Sequence, residues 1–470
     1  MTDRYLSEEI VIAGMSCIFP GSPDIETFWN NILSKVSTIS ELPPSEIERF
    51  FNPGSNEFAR VYCKRAGHIR DLFHFDPLKF GVLPSSIEGS DYDQFLALEL
   101  VDRALKDARL NDHSSTRERT EVILGHATYI NQGNANWMQH SFVLDQTIEI
   151  LQKFYPQCPA ATVNKIRDEL KNSLPPINAQ NIPSLMPNIM AGRIANRFDF
   201  MGSSYVVDGA CASSLIALEL GIKDLLLGRC DVAIVGGIQG YLPVAMLMLF
   251  CELGALSHRS EIKPFDKDAD GTLLGEGAGV VVLRRRKDVE MEGKRIYAVV
   301  KGIGISSDGK AKSLLAPRLE GEVLAIQRAY GMAGIPPQTV GLVEAHGTGI
   351  ALGDITEIEA LTKVFGLRQK GYPDCALGTV KSMIGHCIPA SGIAGVIKTA
   401  LALHHKILPP TINCDVPNPK FNIEKTPFYI NTETRPWVHG DWHTPRRASV
   451  NAFGFGGINA HCILEEYPEN

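Results

Sequence analysis

The sequence lacks hydrophobic runs of the length that a membrane crossing needs. No apolar stretch reaches the ~18 residues required to span a bilayer. Met1 to Glu9 are polar and acidic, without the basic and apolar segments of a signal peptide. We therefore expect a cytoplasmic protein with no membrane span and a flexible N-terminal segment over residues 1–9. Low-complexity tracts and short-period repeats are also missing.

The ten cysteines lack any paired spacing. None forms a C-x-x-C pair, and cysteine and histidine do not cluster at the spacing of metal ligands. This pattern favours a reducing, intracellular setting over a disulfide scaffold, and it predicts no metal site.

Positive charge is not in excess. The net charge of -7 over 470 residues gives no reason to expect a nucleic acid or an anionic membrane as partner. A composition of 44% hydrophobic and 21% charged residues is ordinary for a globular protein. The basic run Arg284 to Lys287 follows a strand directly, and we interpret it as a solvated strand exit.

Strand-like and helix-like segments alternate along the chain. The apolar runs typical of strands are Ile10–Gly14, Val122–Gly125, Val232–Gly236, Gly279–Leu283, Ile296–Val300, Val340–Glu344 and Ala376–Val380. The helix-like stretches are Asp93–Ala108, Cys211–Leu227, Glu320–Ala333, Asp354–Phe365 and Ile393–His405. Alternation of this kind predicts a layered α/β or α+β fold with buried sheets. The helices near Cys211 and Ile393 are apolar nearly all round, so they belong in the interior.

The region from Asn131 to Asn188 differs from the rest in being more polar and rich in helix-like segments. It contains no obvious catalytic grouping. We interpret residues 131–188 as a surface insertion or a subdomain.

Cys211 lies where a short β-branched run meets a long apolar stretch. The segment from Tyr205 to Leu215 predicts a strand, a tight turn and then a buried helix. A thiol at this turn would lie at a helix N-terminus, where the helix dipole favours a thiolate. The alternative is that Cys211 is simply a small buried hydrophobic residue.

Two histidines follow other predicted strands. His346 comes at the edge of a sheet where ligands of α/β proteins usually bind, although a histidine hydrogen-bonded in a turn is equally compatible. Asp354 and Glu357 follow at a helix start, where their charge also suits the dipole. Lys381 and His386 come after the next strand; the lysine either reaches water or pairs with a carboxylate behind a catalytic histidine.

A glycine-rich loop, Asn451 to His461, completes the set. Its glycines allow close backbone approach, and its N–H groups could face an oxyanion; a phosphate-binding loop or a plain turn are the alternatives. One cysteine, two histidines, a lysine and such a loop together suffice for covalent acyl transfer.

These four motifs resemble, in content and order, those of the β-ketoacyl synthases, the condensing domains of fatty acid and polyketide synthases. The resemblance begins at Ile10 and ends at Glu466. It implies a thiolase-type α/β fold, with two similar halves (10–285 and 286–470) in a five-layered αβαβα arrangement. It also implies a homodimer, an acyl carrier protein as partner, and further domains of a larger synthase.

The resemblance assigns a role to each residue. Cys211 would accept an acyl chain, and His346 and His386 would promote decarboxylation of malonyl carrier protein and condensation. Lys381 would organise the site with Glu357 as ion-pair partner and Asp354 nearby. The backbone N–H groups of Cys211 and Phe455 would form an oxyanion hole, with Phe455 as a gate. No bound cofactor is implied; the phosphopantetheine arm of the carrier would contact Thr348, Gly454, Gly456 and Gly457.

Four positions depart from the family pattern. Ile350, Cys387 and Ile458 replace threonines that can help bind the carrier arm, and Met383 replaces a common asparagine. The long insertion and the segment Ile303 to Lys310 resemble iterative synthases of the polyunsaturated fatty acid, heterocyst glycolipid and enediyne kind.

Three other functions stay open. A non-elongating homologue, either a transacylating ketosynthase or a chain-length partner, would share the fold. A scaffolding module would dimerise the synthase without chemistry. A thiolase would need a second catalytic cysteine, but Cys462 lies in a strand-like run that suits packing.

Overall fold

The computed structural model describes residues 8–54, 57–110, 116–127, 131–311, 313–369, 371–438 and 444–468. Most of the expected flexible segment 1–9 lies outside the described residues. No helix in the described part is long and apolar enough to cross a membrane.

Each of the seven predicted apolar runs overlaps a strand, usually with different bounds, and the structure adds strands that were not predicted. In chain order the strands are β1 (Ile10–Ile18), β2 (Ile39–Glu41), β3 (Arg65–Gly67), β4 (Thr120–His126), β5 (Ser204–Val207), β6 (Val232–Gln239), β7 (Gly277–Arg285), β8 (Ala298–Ser307), β9 (Leu342–Glu344), β10 (Cys375–Gly378), β11 (Ile407–Leu408), β12 (Phe428–Ile430), β13 (Arg435–Pro436), β14 (Arg447–Gly454) and β15 (Ile458–Glu465).

Each of the five predicted helix-like stretches overlaps a helix, and the structure adds others that were not predicted. In chain order the helices are α1 (Ile25–Leu33), α2 (Pro44–Ile47), α3 (Asp93–Asp107), α4 (Gln132–Met138), α5 (Leu144–Phe154), α6 (Ala160–Asn172), α7 (Ile189–Phe198), α8 (Ser213–Leu226), α9 (Val244–Glu252), α10 (Arg286–Met291), α11 (Leu319–Ala333), α12 (Ala351–Phe365), α13 (Lys381–Ile384) and α14 (Ser391–His405).

Eleven of these strands form one continuous sheet in the order β12-β10-β9-β14-β15-β8-β1-β7-β6-β4-β5. The strands β5, β4, β6, β7 and β1 pair parallel, parallel, antiparallel and antiparallel. The strands β10, β9, β14, β15 and β8 repeat the same series. The two halves meet where β1 pairs antiparallel with β8, so the chain contains two similar α/β halves.

Helices α8 and α14 fill the middle layer between the halves. Their side chains, including Leu215, Leu218, Ile393 and Ile397, share one buried core with both sets of strands. Helices α3 and α7 cover the outer face of the first half, and α11 and α12 cover the second. This is the expected thiolase-type αβαβα arrangement, and it explains why both central helices are apolar nearly all round. The division at residue 285 stays a prediction.

The predicted insertion, residues 131–188, contains helices α4 to α6 with a small core of its own; that it is an insertion stays a prediction. Leu144, Ile148 and Val163 form that core. A second set of its large apolar side chains faces outward: Trp137, Met138, Phe142, Val143, Ile150, Phe154 and Tyr155. The region is therefore less uniformly polar at its surface than its composition indicates.

The basic run after β7 is only partly solvated. Arg284 and Arg285 are buried within the strand end, against the sequence-based expectation. Arg284 binds Glu292 in a bidentate pair of 2.6 and 2.7 Å. Arg285 binds Asp288 and Asp231. Because both arginine side chains have acidic partners, their positive charge is neutralised inside the fold.

A buried ion pair ties central helix α14 to the second half of the sheet. Lys398 Nζ on α14 lies 2.6 Å from Glu344 Oε2 at the end of β9, and both side chains are almost fully buried. Glu344 Oε1 also accepts a hydrogen bond of 2.7 Å from the backbone N–H of Val380. The pair therefore fixes β9, α14 and the segment before Lys381 relative to one another.

Removing either partner of this pair should destabilise the fold. Lys398→Met leaves a buried carboxylate uncompensated, and we expect a loss of about 3–5 kcal/mol in the free energy of unfolding. The double variant Glu344→Gln/Lys398→Met should recover most of that loss, because it buries no unpaired charge. Urea unfolding measures both, with the exposed-pair variant Lys106→Met as a control expected to change by less than about 1 kcal/mol. Equal losses in single and double variants would contradict the prediction.

Candidate active site

Cys211 lies in a sharp turn between strand β5 and central helix α8. Residues Ala210–Ala212 form a single 3-10 turn, with Ala210 in the left-handed region at φ 50°. The hydroxyl of Ser213 closes the turn: it accepts from the Gly209 N–H at 2.9 Å and donates to the Ala210 carbonyl at 2.6 Å. The turn thus holds the sulfur just before the helix begins, where the residue is 4% exposed.

His386 brings the second half of the chain to this sulfur. Its Nε2 lies 3.0 Å from Cys211 Sγ, and its Nδ1 lies 2.7 Å from the hydroxyl of Ser391. Strand β10 ends at Gly378, earlier than predicted, so Lys381 opens the short helix α13 instead of leaving a strand directly. Gly385, at φ 79°, then turns the backbone so that His386 faces the thiol.

His346 completes the group, two residues beyond the end of β9. Its ring centroid is 5.4 Å from that of His386, nearly perpendicular to it. The backbone N–H of Phe453 donates to His346 Nδ1 at 3.3 Å. Since Nδ1 accepts, the proton of the neutral ring is on Nε2, which is therefore a hydrogen-bond donor. Burial, with Lys381 and His386 adding to it, lowers the pKa of His346 well below its usual value, so the ring is neutral.

Glu357 and Asp354 hold the loop that carries His346. Glu357 accepts from the N–H groups of His346 and Gly347 at 2.6 and 2.8 Å. It also accepts from Asn451 Nδ2 at 2.7 Å. Asp354 accepts from the N–H groups of Phe265, Thr348 and Gly349 at 2.8 to 3.3 Å. Both carboxyl groups therefore bind backbone.

The expected ion pair between Lys381 and Glu357 is not formed among the described residues, because the Glu357 oxygens are taken by N–H donors. Lys381 is buried, and burial lowers the pKa of its ammonium group. The carboxylates of Glu344 and Glu357 oppose that shift from a distance. Within the described residues, Lys381 thus contributes a positive field at the site without a direct carboxylate partner.

The thiol is a neutral group in this site, contrary to the expectation from the helix N-terminus. Burial raises the pKa of Cys211 to about 11, although Lys381 and the backbone N–H groups of Phe455 and Cys211 act to lower it. The effect of desolvation on the thiol pKa is therefore larger than the opposing effect of the helix N-terminus. The pKa of His386 is lowered well below its usual value by burial and by Lys381, so thiol and imidazole form a neutral pair. The backbone N–H groups of Cys211 and Phe455 thus act on the sulfur, and their role as an oxyanion hole stays a prediction.

A cavity of about 910 Å³, including its open mouth, leads to these three side chains. Of the expected carrier-arm residues, Thr348, Gly454 and Gly457 line it, whereas Gly456 does not. The expected gate residue Phe455 also lines it. Its mouth carries the exposed side chains of Leu315 and Leu352.

Only one of the three threonine replacements concerns this cavity. Ile350 lines it. The Cys387 thiol instead faces the carbonyl of Glu276 at 3.2 Å, and Ile458 lines a separate surface groove with Ile216 and Ile303. Met383 is buried in the core away from the cavity. The expected effect of these departures on arm binding is therefore limited to Ile350.

Several site residues were not singled out by the sequence. Ser391 binds His386, Asn451 links Glu357 to His461, and Phe250 packs on Phe455 with ring centroids 5.8 Å apart. Asn451 stood in the glycine-rich motif and could have been found there; Ser391 and Phe250 carry no such signal. No cluster of three metal-ligating side chains is found among the residues that the structure describes.

The pKa of about 11 makes a direct prediction for alkylation of Cys211. At pH 7 only ~10⁻⁴ of such a thiol is ionised, so the rate with iodoacetamide should rise roughly tenfold per pH unit from pH 7 to 10. Peptide mass spectrometry of the Cys211 peptide measures the rate. Lys381→Met should slow alkylation further, because the lysine charge lowers the thiol pKa. A rate that levels off below pH 10 would show an ordinary or activated thiol instead.

Sequence models of the family cover nearly the whole chain. The N-terminal domain of β-ketoacyl synthases matches residues 7–289, the C-terminal domain matches 297–415, and the ketoacyl-synthetase C-terminal extension matches 417–470.

The curated relatives are large synthases. The chain is 34% identical to a component of the polyunsaturated fatty acid synthase of Thraustochytrium sp. over 470 residues, which is 98% of this chain and 16% of that protein. It is 35% identical to polyketide synthase PksL of Bacillus subtilis over 468 residues, 98% of this chain and 9% of that protein. The chain thus spans less than a fifth of the length of these relatives.

Solved structures agree with the fold. The ketosynthase from module 6 of the bacillaene synthase of Bacillus subtilis superposes with a TM-score of 0.81 at 34% identity, covering 98% of this chain and 73% of that one. An oxazolomycin ketosynthase domain from Streptomyces albus gives a TM-score of 0.83 at 29% identity, covering 99% and 75%. With its thiolase-type fold and these matches, the chain belongs to the β-ketoacyl synthase family, whose members are acyl-transferring enzymes.

Proposed function

We propose that this domain is a condensing enzyme that extends an acyl chain held on Cys211. The observation that carries the proposal is that three side chains meet in one cavity. Cys211 Sγ lies 3.0 Å from His386 Nε2, and the ring centroids of His386 and His346 are 5.4 Å apart. Three separate segments supply these groups, and the cavity is open to a long thioester substrate.

The first step is acyl transfer from a carrier thioester to Cys211. His386 Nε2 accepts the thiol proton as sulfur attacks the carbonyl carbon, since a neutral thiol of high pKa needs a base at that moment. The N–H groups of Cys211 and Phe455 stabilise the oxyanion. The C–S bond to the carrier arm then breaks, and the arm leaves as a thiol with the proton from His386.

The second step is decarboxylative condensation. Malonyl carrier protein loses carbon dioxide when the bond to its carboxylate breaks, and the electron pair forms an enolate thioester. His346 Nε2–H stabilises the enolate oxygen, and His386 does so in its Nε2–H tautomer. The Ser391 hydroxyl can donate to or accept from His386 Nδ1, so it remains bonded in either tautomer. The enolate carbon attacks the carbonyl carbon of the Cys211 thioester and forms the new C–C bond. The C–S bond to Cys211 then breaks, and the departing thiolate takes up a proton from solvent water.

The roles separate in a loading experiment. Cys211→Ala should show no acyl adduct by intact-protein mass spectrometry after incubation with an acyl carrier thioester. His346→Ala should still load but lose condensation with malonyl carrier protein by about 100-fold or more, because the enolate loses a donor. Cys387→Ala is the matched control and should load normally, since its sulfur faces away from the cavity.

The competing function is non-elongating transfer. Wild-type protein that loads Cys211 yet gives no β-ketoacyl product with malonyl carrier protein would establish it. A Cys211→Ala protein that supports full product formation in its synthase would establish a scaffold. Acylation at another residue would refute the assignment of Cys211 as the nucleophile.

We also propose an acyl carrier protein and neighbouring synthase domains as partners, because the relatives are much larger synthases. Iterative use stays our prediction for this domain. The relatives include both a polyunsaturated fatty acid synthase and a ketosynthase of a numbered module, at nearly equal identity. The number of cycles per acyl chain, counted from product length, would decide between them. A cytoplasmic location likewise stays a prediction.

A homodimer is supported by two features of the first half. Strand β5 is the last strand of the sheet, so one of its edges offers backbone groups for pairing. The insertion exposes Phe142, Val143, Ile150 and Phe154 within a short stretch, more apolar surface than isolated side chains explain.

Charging this apolar set should weaken the dimer. We expect the double variant Phe142→Glu/Phe154→Glu to shift the wild-type dimer toward monomer in sedimentation velocity. The control Leu78→Glu/Met291→Glu also replaces two highly exposed side chains, outside the insertion, and should leave the dimer intact. A monomeric wild-type protein would contradict the proposed homodimer. An unchanged dimer in Phe142→Glu/Phe154→Glu would contradict the role of the exposed apolar side chains in the interface.

A further inference from the structure

One carboxyl group in the wall of the cavity has an oxygen without a partner among the described residues. Glu322, near the start of α11, lines the cavity and is 1% exposed. Its Oε2 is buried and makes no hydrogen bond within the part of the chain that the structure describes. The other carboxyl and hydroxyl side chains of the wall, those of Thr272, Asp308, Thr348, Asp354 and Glu357, all have hydrogen-bond partners inside the protein.

The surroundings of Glu322 favour the uncharged form of its carboxyl group. Burial, followed by the nearby carboxylates of Glu357 and Asp308, raises the pKa of Glu322 well above its ordinary value. Asp308 Oδ1 is occupied by Asn459 Nδ2 at 2.7 Å, and Glu357 by three N–H donors. No ion pair of Glu322 is found among the described residues. A neutral carboxyl carries an O–H, so Glu322 can donate a hydrogen bond into the cavity.

A purely structural role does not explain this side chain. A buried polar atom without a partner destabilises a fold, and native proteins normally satisfy such atoms. Glu322 keeps one free next to the route that leads to Cys211. Group and position together indicate that the missing partner is a ligand that is present only during the reaction.

We propose that Glu322 is a positioning residue that donates a hydrogen bond to an amide carbonyl oxygen of the phosphopantetheine arm. The inference rests on the proposed function, which sends that arm through the cavity. The arm carries amide groups, and it must pass from Leu315 and Leu352 at the mouth to Cys211. Ile350 offers no hydroxyl along this wall, and the Thr348 hydroxyl already accepts the Ile350 N–H at 3.4 Å. Glu322 is the carboxyl left free to bind an amide.

A series of acyl thioesters tests this role on the full chain. The leaving thiols are pantetheine, N-acetylcysteamine and propanethiol, which carry two amides, one amide and none. Intact mass gives the rate of Cys211 acylation. Glu322→Met should lower the rate with pantetheine about tenfold, because one hydrogen bond is lost, and should leave the propanethiol rate unchanged. Glu322→Gln keeps a donor of similar shape and should stay within about twofold of wild type throughout.

The N-acetylcysteamine thioester, which carries one amide, shows which amide Glu322 contacts. A loss with N-acetylcysteamine places it at the amide nearest the sulfur, and a loss with pantetheine alone places it at the second amide. An equal loss with all three thiols, propanethiol included, would overturn the proposal, since the effect would then lie in the acyl group or the fold. A wild-type rate for Glu322→Met with pantetheine would overturn it as well.

Two further measurements separate this inference from the proposed function. Failure of wild-type Cys211 to load from any thioester would refute the function, and protection of Cys211 from iodoacetamide by free pantetheine would still test Glu322. That protection should weaken in Glu322→Met and persist in Glu322→Gln; equal protection in both contradicts the proposal. The thermal midpoint of Glu322→Met should be unchanged or higher, because an unpartnered buried oxygen is removed. If that variant does not fold, Glu322→Leu replaces it.

Discussion

The close approach of the first turns of α8 and α14 is the constraint on which the site depends. The N–H of Ile393 donates to Ser214 Oγ at 2.9 Å, directly joining the two helices. A Cβ on Gly392 would lie 2.7 Å from that same oxygen, and a Cβ on Gly237 would lie 2.5 Å from the Pro389 carbonyl. Glycine is therefore required at both positions. Because the helices touch here, the turns that precede them bring the thiol of one half to the imidazole of the other.

The electrostatics of the site follow from that burial. Thiol and imidazoles all shift toward their neutral forms, so the resting site holds no thiolate–imidazolium pair. The positive charge of Lys381 acts in one useful sense on all three groups. It lowers the pKa of the thiol, so that transient ionisation to the thiolate costs less free energy. It also lowers the pKa of both imidazoles, which keeps them neutral. A carboxylate bound directly to Lys381 would cancel this field, so the occupation of Glu357 by N–H donors favours the chemistry.

The sequence allowed the elements and the central residues to be predicted, because apolar periodicity and strand-end motifs are local signals. The sequence did not predict which side chains line the cavity, because that depends on the direction in which each side chain points. Ile458 and Asn459 are neighbours at the start of β15; successive residues of a strand face opposite sides, so Asn459 lines the cavity and Ile458 does not. Cys387 likewise points away although His386 faces the thiol. The partners of Arg284 and Arg285 include Asp231 and Glu292, and spacing alone did not identify them.

Buried carboxyl groups show why composition cannot separate structural from functional side chains. Glu344, Asp354 and Glu357 each bind backbone N–H groups, and thereby fix the segments that carry Lys381 and His346. Such carboxyl groups replace the hydrogen bonds that the backbone would otherwise make to water. Glu322 is as deeply buried and shares the cavity wall with Asp354 and Glu357, but its Oε2 has no hydrogen-bond partner among the described residues. What distinguishes it is therefore the count of its partners, which only the three-dimensional arrangement reveals.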